Sequence, residues 1–205
     1  MISNIAPLIS PTAGSAVTTF TSWIGVFIFL GLLGLLLTGL TAWRINESLP
    51  AQRRVPSSFS KVLNNYSSLL RNRSFMGYAL VNGILFSGVF AYVAGTPFIY
   101  QNIYGISPQL FSILFALNGL GIIIGSQFVK RLAGRWTEDR IIQTGLVLAF
   151  IATTVTLIVV LSHGSFIALF ISIFFFAVSI GIIGPVSFTL AMESQGHIAG
   201  SAAAV

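Results

Sequence analysis

Side chains that could perform acid–base, thiol or metal chemistry are few in this sequence. The 205 residues include no cysteine, four carboxylates and two histidines, namely Glu47, Glu138, Asp139, Glu193, His163 and His197. Without cysteine, disulfides and thiolate metal sites are excluded. No HExxH, GxSxG or phosphate-cradling motif occurs. The sequence therefore predicts neither an enzyme nor a metal or cofactor site, and both histidines are expected to be ordinary surface residues.

Aromatic and amide side chains suggest a different chemistry, the binding of amphipathic molecules. Tyr78, Asn82, Phe86 and Phe90 recur every four residues and share one face of a helix. An aromatic wall with one amide suits bulky molecules that carry a hydrogen-bonding group. The alternative is a Phe-rich face that faces lipid or packs against another helix.

Asn118 is a second amide in an otherwise apolar stretch. Asn82 and Asn118 could form a hydrogen bond across two adjacent helices, or one of them could line a cavity. The substrate-binding residues predicted from the sequence are thus Tyr78, Asn82, Phe86, Phe90 and Asn118.

These candidates lie in long runs without charge. Residues 1–43, 74–129 and 141–192 contain no Asp, Glu, Lys or Arg. A helix crosses the bilayer core of about 30 Å with about 20 residues, so each run is long enough for two crossings and a turn. Both charged segments, 44–73 and 130–140, then lie on one face. Because they hold all ten basic residues, the positive-inside rule makes that face cytoplasmic.

The composition also indicates a multi-pass membrane protein surrounded by lipid. Charged residues make up 7% of the chain, against about a quarter in soluble proteins. The net charge of +6 does not indicate nucleic-acid binding, because the basic residues mark helix ends and loops. No carboxylate is expected at mid-membrane, so this chain alone offers no proton-coupling site there. The predicted fold class is all-α, a polytopic transmembrane helical bundle.

Five segments are predicted to cross the membrane. They are Trp23–Trp43, Phe75–Phe98, Leu110–Val129, Ile141–Leu161 and Phe166–Leu190. Ile5–Phe20 is interpreted as a partial span, and Ala199–Val205 as the beginning of another. Between the first two spans, Phe59–Leu70 has apolar residues at helical spacing. That pattern fits an amphipathic helix on the membrane surface, with a solvated linker as the alternative.

Small residues recur at four-residue spacing in three of the spans, where they would let helix backbones approach closely. The three seams are Gly83–Ser87–Ala91–Gly95, Gly121–Gly125 and Ala177–Gly181–Pro185. Packing alone explains them, or they let helices slide during a transport cycle. Gly184 and Pro185 form a candidate hinge, because proline removes a backbone hydrogen bond within the span.

The stretch from Tyr78 to Ser126, which begins YALVNGILF and ends ALNGLGIIIGS, resembles the seventh and eighth helices of drug-efflux carriers of the Bcr/CflA (bicyclomycin resistance) family. These carriers belong to the major facilitator superfamily. Shorter matches are Ala6-Pro7-Leu8-Ile9, Glu47-Ser48-Leu49-Pro50 and Ala199-Gly200-Ser201-Ala202.

The resemblance implies a partial major facilitator fold. Residues 1–43 would be the end of the N-terminal bundle (part of helix five, and helix six), residues 44–74 the cytoplasmic central loop, and residues 75–205 the C-terminal bundle (helices seven to ten and the start of eleven). Pro7 and Gly14 match the antiporter signature at the end of helix five, so the resemblance makes them hinge or gating candidates together with Gly184 and Pro185. Lys130, Arg131, Gly134 and Arg135 resemble the second copy of a basic cytoplasmic motif. Its charges could pair with Glu138, Asp139 or helix ends, or could serve only to anchor the topology.

The resemblance also implies export of drugs or small metabolites in exchange for protons. In this alignment helices one to four, most of eleven and all of twelve are missing, so a truncated or split carrier, inactive alone, is expected. One alternative is a metabolite carrier of the same superfamily. Another is a non-transporting membrane subunit that assembles with a separately encoded N-terminal half.

Overall fold

In the computed structural model of this chain, the described residues are Gly14, Val17, residues 20–44 and residues 59–193. The chain divides into two compact units, residues 1–59 and 60–205. Within the first unit, helix α1 spans Trp23–Arg44. It is apolar on every side, and its Arg44 guanidinium lies 4.9 Å from the Trp43 ring centroid. Such a cation–aromatic pair is typical of a helix end at a membrane interface.

From Phe59 onward the described chain is a run of five α-helices connected by short turns. They are α2 (Phe59–Arg71), α3 (Arg73–Phe98), α4 (Pro108–Leu132), α5 (Glu138–Leu161) and α6 (Phe166–Glu193). A π-helical turn, Ile99–Ile103, extends α3. The Asn72 side chain caps α3 by accepting from the Phe75 amide, and Ser107 caps α4 by accepting from the Leu110 amide.

Five helices among the described residues are long and apolar enough to cross a membrane. They are α1, α3 with its π-helical turn, α4, α5 and α6. No helix in this set has the strong apolar–polar contrast of α2, whose polar and apolar residues lie on different sides. The all-α, multi-span prediction is confirmed.

Helix α6 is the central helix of the second unit. It packs against α3, α4 and α5 and contributes more buried residues than any of them. One core cluster joins Leu85 of α3, Ile141 and Ile142 of α5, and Ile182 and Ile183 of α6. The other transmembrane helices of this unit are therefore arranged around α6.

The crossing of α4 and α6 depends on glycine. A Cβ added at Gly125 would collide with the Val178 carbonyl oxygen, and one at Gly181 would collide with the Ile122 carbonyl oxygen. The Ser126 hydroxyl donates across this crossing to the Gly181 carbonyl at 3.3 Å. The second and third small-residue seams thus pack against each other, as their spacing predicts.

The charged segments of the second unit lie at one end of the helix bundle. Leu69 of α2 is fully buried and packs in one cluster with Phe75 of α3 and Ala191 of α6. At the same end, the Tyr78 hydroxyl donates to an Asp139 carboxylate oxygen at 3.1 Å. At the opposite end, the Tyr104 hydroxyl donates to the Gly164 carbonyl. The described part of the first charged segment, residues 59–73, thus lies at the same end of the second unit as residues 130–140, and the cytoplasmic position of this end stays a prediction.

The predicted span boundaries differ from the structure by no more than three residues, except that the second span continues five residues past Phe98, through the π-helical turn to Ile103. Helices α3 and α5 begin earlier than their apolar runs because polar residues supply the first turn, with Glu138 and Asp139 opening α5. Carboxylates are favourable there because the helix dipole is positive at its N-terminus. Between α1 and α3, Phe59–Arg71 is an amphipathic helix rather than an irregular linker, and its place on the membrane surface stays a prediction. The predicted partial span Ile5–Phe20 and the segment Ala199–Val205 lie largely or wholly outside the described residues.

The glycine crossing gives a matched test of packing. We expect Gly125→Ala to lower the midpoint of thermal unfolding in detergent, because the methyl group forces α4 and α6 apart at a cost of about 1–3 kcal/mol. Tryptophan fluorescence during heating measures this midpoint. Gly83→Ala is the control, since a Cβ there meets nothing within 4 Å and alanine favours the helix. Equal midpoints for the two variants would contradict the crossing.

Candidate functional site

Pro97 and the π-helical turn after it shape the C-terminal end of α3. Pro97 lies inside the helix and has no amide proton to donate. The Thr96 hydroxyl donates to the Tyr92 carbonyl at 2.7 Å, and the Ile99 amide bonds to both the Gly95 and Thr96 carbonyls. The wider turn that follows places Tyr100 in the protein interior, where it is 1% exposed. π-Helical turns are frequent at functional sites.

A buried polar cluster joins α3 and α4. The Asn118 amide nitrogen donates to the Tyr92 hydroxyl at 3.0 Å, and Asn118 is 1% exposed. Tyr92 also stacks on Phe115, with ring centroids 5.5 Å apart. The Asn118 amide oxygen and the Tyr100 hydroxyl have no hydrogen-bond partner in this structure. Asn118 therefore bonds to Tyr92, and the predicted bond between Asn82 and Asn118 does not form.

An apolar groove of about 560 Å³ lies between α3, α5 and α6. On α3 its lining runs from Val81 through Gly88 and Gly95 to Ile99, and on α5 from Leu146 to Val160. At 1.5 Å per residue the α3 lining is about 27 Å long, close to the thickness of a bilayer core. The groove is thus as long as a membrane-spanning segment.

The few polar side chains of this groove are already hydrogen-bonded. Thr153 donates to the Ala149 carbonyl, and the single hydroxyl proton of Thr156 lies within hydrogen-bond distance of two acceptors, the Ala152 carbonyl and the Ser172 hydroxyl. Tyr92, which also lines the groove, accepts from Asn118. The groove therefore suits an apolar occupant and offers little to a polar one.

The predicted aromatic residues lie on a different side of α3. Phe86 is 52% exposed and Phe90 is 71% exposed, and neither lines the groove. Gly88 lines the groove and is two residues from each phenylalanine. Because two residues turn an α-helix by about 200°, Phe86 and Phe90 lie on nearly the opposite side of α3. We call the side that carries Asn82, Phe86 and Phe90 the aromatic face. Asn82 is half-buried, and its amide oxygen has no hydrogen-bond partner in this structure.

The remaining predicted residues are distributed over the bundle. Tyr78 lies at the charged end, bonded to Asp139, rather than beside Phe86. Lys130 and Arg131 occupy the last turn of α4, where positive charge complements the helix dipole. Gly134 has a φ of +91°, which suits glycine in the turn before α5, and Arg135 follows it in the same turn, exposed.

Helix α6 has no visible break at two of the predicted hinge residues, Gly184 and Pro185. A Cβ at Gly184 would meet nothing within 4 Å. Gly14 is helical, with open space around its Cα. Pro7 lies outside the described residues. Across the described chain, no group of three acidic or histidine side chains is placed to hold a metal ion.

Sequence reasoning missed the apolar groove and the tyrosines beside it. Tyr92, Thr96 and Tyr100 recur every four residues, the same spacing that identified the aromatic face. This signal was available, but it does not specify which side of α3 faces a neighbouring helix. Asn118 was predicted either to bond to Asn82 or to line a cavity; it is buried and bonds to Tyr92, and its role in substrate binding stays a prediction.

Such an all-helical bundle, with several apolar spans and its charges at one end, is the architecture of a polytopic membrane transporter. The chain belongs to the Major Facilitator Superfamily, whose family model matches residues 1–205. It is 46% identical over 207 residues to the uncharacterized MFS-type transporter YdgK of Bacillus subtilis, covering 100% of this chain and 52% of YdgK.

More distant relatives have named activities. A bicyclomycin resistance protein homolog of Haemophilus influenzae is 24% identical over 202 residues, covering 98% of this chain and 51% of that protein. The multidrug transporter MdfA of Edwardsiella piscicida is 31% identical over 145 residues, 70% of this chain and 35% of MdfA. The chain spans about half the length of YdgK and of the bicyclomycin resistance homolog.

The buried pair of Tyr92 and Asn118 gives a second stability test. We expect Tyr92→Phe to destabilise the chain by about 1–2 kcal/mol, because the Asn118 amide loses its acceptor in the interior. The double variant Tyr92→Phe/Asn118→Leu should recover most of that loss, since neither polar group is then left unpaired. Thermal unfolding in detergent of the two single variants and the double variant gives the coupling free energy.

Tyr66→Phe is the matched control, because it removes the same hydroxyl from a half-exposed position on α2. A coupling free energy near zero would show that the hydrogen bond between Tyr92 and Asn118 contributes nothing to stability.

Proposed function

We propose that this chain forms part of a carrier that exports drugs or other amphipathic small molecules in exchange for protons. The observation that carries this proposal is the aromatic face of α3. Two phenylalanine rings more than half exposed lie on one helix side with Asn82, whose amide oxygen has no hydrogen-bond partner. Large planar rings contact a bulky apolar body, and an unpaired amide oxygen accepts a hydrogen bond from its polar group.

The names of the relatives support the substrate class. MdfA is a multidrug transporter, and the Haemophilus relative is a bicyclomycin resistance protein homolog. We extend their chemistry to this chain because the aromatic face has few specific hydrogen-bonding groups, as expected for a wall that accepts varied molecules. A metabolite carrier would need more convergent polar groups to select one substrate.

The aromatic face is only one wall of a binding space. Transport sites in carriers built from repeats lie near the bilayer midplane, between the repeats. Since the chain spans about half the length of YdgK, we propose that the rest of a complete carrier supplies the facing wall. The basic segments 44–73 and 130–140 then lie on the cytoplasmic side of the bacterial inner membrane, and Gly184–Pro185 is a hinge in α6.

Proton coupling would come from outside this chain. All four carboxylates, Glu47, Glu138, Asp139 and Glu193, lie outside the long uncharged runs, and intramembrane acids are the usual coupling groups. The 205 residues therefore contribute substrate contacts to the proposed carrier, and a partner half contributes the coupling.

The aromatic face can be tested in a carrier completed with the part of YdgK that lies outside the match. We expect Phe86→Ala and Phe90→Ala to change the relative export rates of two dyes by about fivefold, the effect of roughly 1 kcal/mol of aromatic contact. Asn82→Ala should affect substrates with a hydrogen-bond donor more than those without one. Efflux from cells, normalised to the amount of carrier in the membrane, is the measurement.

Leu80→Ala is the control, because Leu80 is 56% exposed on the same helix but points to another side. If all four variants keep the parental ratio of export rates, the aromatic face contacts lipid and the substrate wall lies elsewhere.

If this chain supplies only substrate contacts and a partner half supplies the proton coupling, the 205-residue chain alone should not transport. Proteoliposomes that contain only this chain should show no dye uptake when a pH gradient is imposed, whereas adding the complementary part of YdgK should restore it. Gradient-dependent uptake by the chain alone would contradict the proposal.

A further inference from the structure

The polar side of α2 carries a shallow depression at the charged end of the bundle. Its volume is about 480 Å³, and it is lined by Asn64, Ser67, Ser68, Arg71 and Asn72. These side chains are two amides, two hydroxyls and one guanidinium, with no carboxylate among them. Guanidinium, amide and hydroxyl groups are the donors that bind phosphate oxygens, and a guanidinium can bind two such oxygens at once.

Several of these donors are available to a ligand. The amide oxygen of Asn72 accepts from the Phe75 backbone, so its NH₂ group is the part that can donate outward. Arg71 forms no ion pair within residues 59–193, the part of this unit that is described. Ser68 is the exception, since its hydroxyl already donates to the Asn65 carbonyl at 2.7 Å. Arg71, Asn72, Asn64 and Ser67 therefore form the donor set.

The position of α2 places this depression at the level of the membrane surface. One residue, Asn72, separates Arg71 from the start of α3, which is a candidate membrane span. Leu69 is fully buried and fixes α2 against Phe75 and Ala191. The helix therefore lies where the chain enters the bilayer.

The other side of α2 is apolar and uncovered. Leu63 is 61% exposed and Leu70 is 58% exposed. A helix with basic and apolar sides lies in the plane of the membrane interface, with its apolar side in the boundary between headgroups and acyl chains. In that position the polar side is at the height of the lipid phosphates.

The local charge favours an anionic partner. Residues 53–73 contain Arg53, Arg54, Lys61, Arg71 and Arg73 but no Asp or Glu. Basic clusters next to a membrane span attract anionic lipids, with about 1 kcal/mol per basic residue near the surface. The start of α3 adds the positive end of a helix dipole at the same junction.

We propose that this depression binds the phosphate-bearing headgroup of an anionic phospholipid, while Leu63 and Leu70 insert among the adjoining acyl chains. Arg71 binds the phosphate, and the Asn64, Ser67 and Asn72 side chains contact the remaining headgroup oxygens. A free phosphate ion would use the same donors but not the exposed leucines, so the lipid is the ligand that explains both sides of α2.

Lipid retention by the full 205-residue chain tests this site. The purified chain in detergent is titrated with phosphatidylglycerol or with phosphatidylcholine of the same acyl chains, and native mass spectrometry measures the fraction with bound lipid. We expect tighter binding of phosphatidylglycerol, and Arg71→Gln should weaken it by about fivefold. Asn64→Ala and Ser67→Ala leave the charge unchanged and should weaken it by a smaller factor.

Arg135→Gln is the matched control, because Arg135 is also exposed at the charged end but lies outside the depression. It should change the phosphatidylglycerol affinity less than twofold. Equal losses for Arg71→Gln and Arg135→Gln would reduce the binding to general charge attraction and overturn the site. Inorganic phosphate that displaces the lipid at equal concentration would show an anion site without lipid selectivity and would also overturn the proposal.

Discussion

The close approach of α4 and α6 is the contact on which the rest of the second unit depends. In a bilayer, helices gain nothing by hiding apolar surface from lipid, so association relies on close packing and hydrogen bonds. Gly125 and Gly181 remove the side chains that would hold the two backbones apart, and Ser126 bonds across the gap. Because α6 also packs against α3 and α5, its position relative to α4 sets where both other helices lie.

This arrangement leaves α3 with two uncovered sides of different chemistry. The side toward α5 lines a long apolar groove whose hydroxyls already have hydrogen-bond partners. The other side presents exposed aromatic rings near an unpaired amide oxygen. An apolar segment or chain suits the first side, whereas an amphipathic molecule suits the second, because only the second offers a polar contact. The two sides of α3 therefore differ in the kind of molecule or segment that each can contact.

The spans and the glycine crossing were predictable because each depends on a local property of the chain. Charge-free runs locate the spans, and small residues four apart identify the sides of α4 and α6 that touch. The partners of Tyr78 and Asn118 were not predictable, because they depend on how α3 is rotated about its axis. An apolar helix in a bilayer has hydrophobic residues on all sides, so its periodicity does not show which side meets protein. Helix α2 differs, because its polar and apolar residues lie on different sides, so its amphipathic character could be predicted from the sequence.

The placement of charge constrains any mechanism in which this chain takes part. Within the described bundle, Glu138, Asp139 and Glu193 lie at helix ends, and Asp139 is tied to Tyr78 at the charged end. The aromatic face begins at Asn82, one helical turn beyond Tyr78 on α3, so it lies apart from the carboxylate that Tyr78 binds. A change at Asp139 can therefore reach the aromatic face through α3, the helix that carries both Tyr78 and Asn82. Tyr78 takes part in this link directly, because its hydroxyl donates to the Asp139 carboxylate at the start of α5. The core cluster that holds Leu85 with Ile141 and Ile142 joins the same two helices a second time, so α3 and the first turns of α5 are held together by both a polar contact and shared apolar packing.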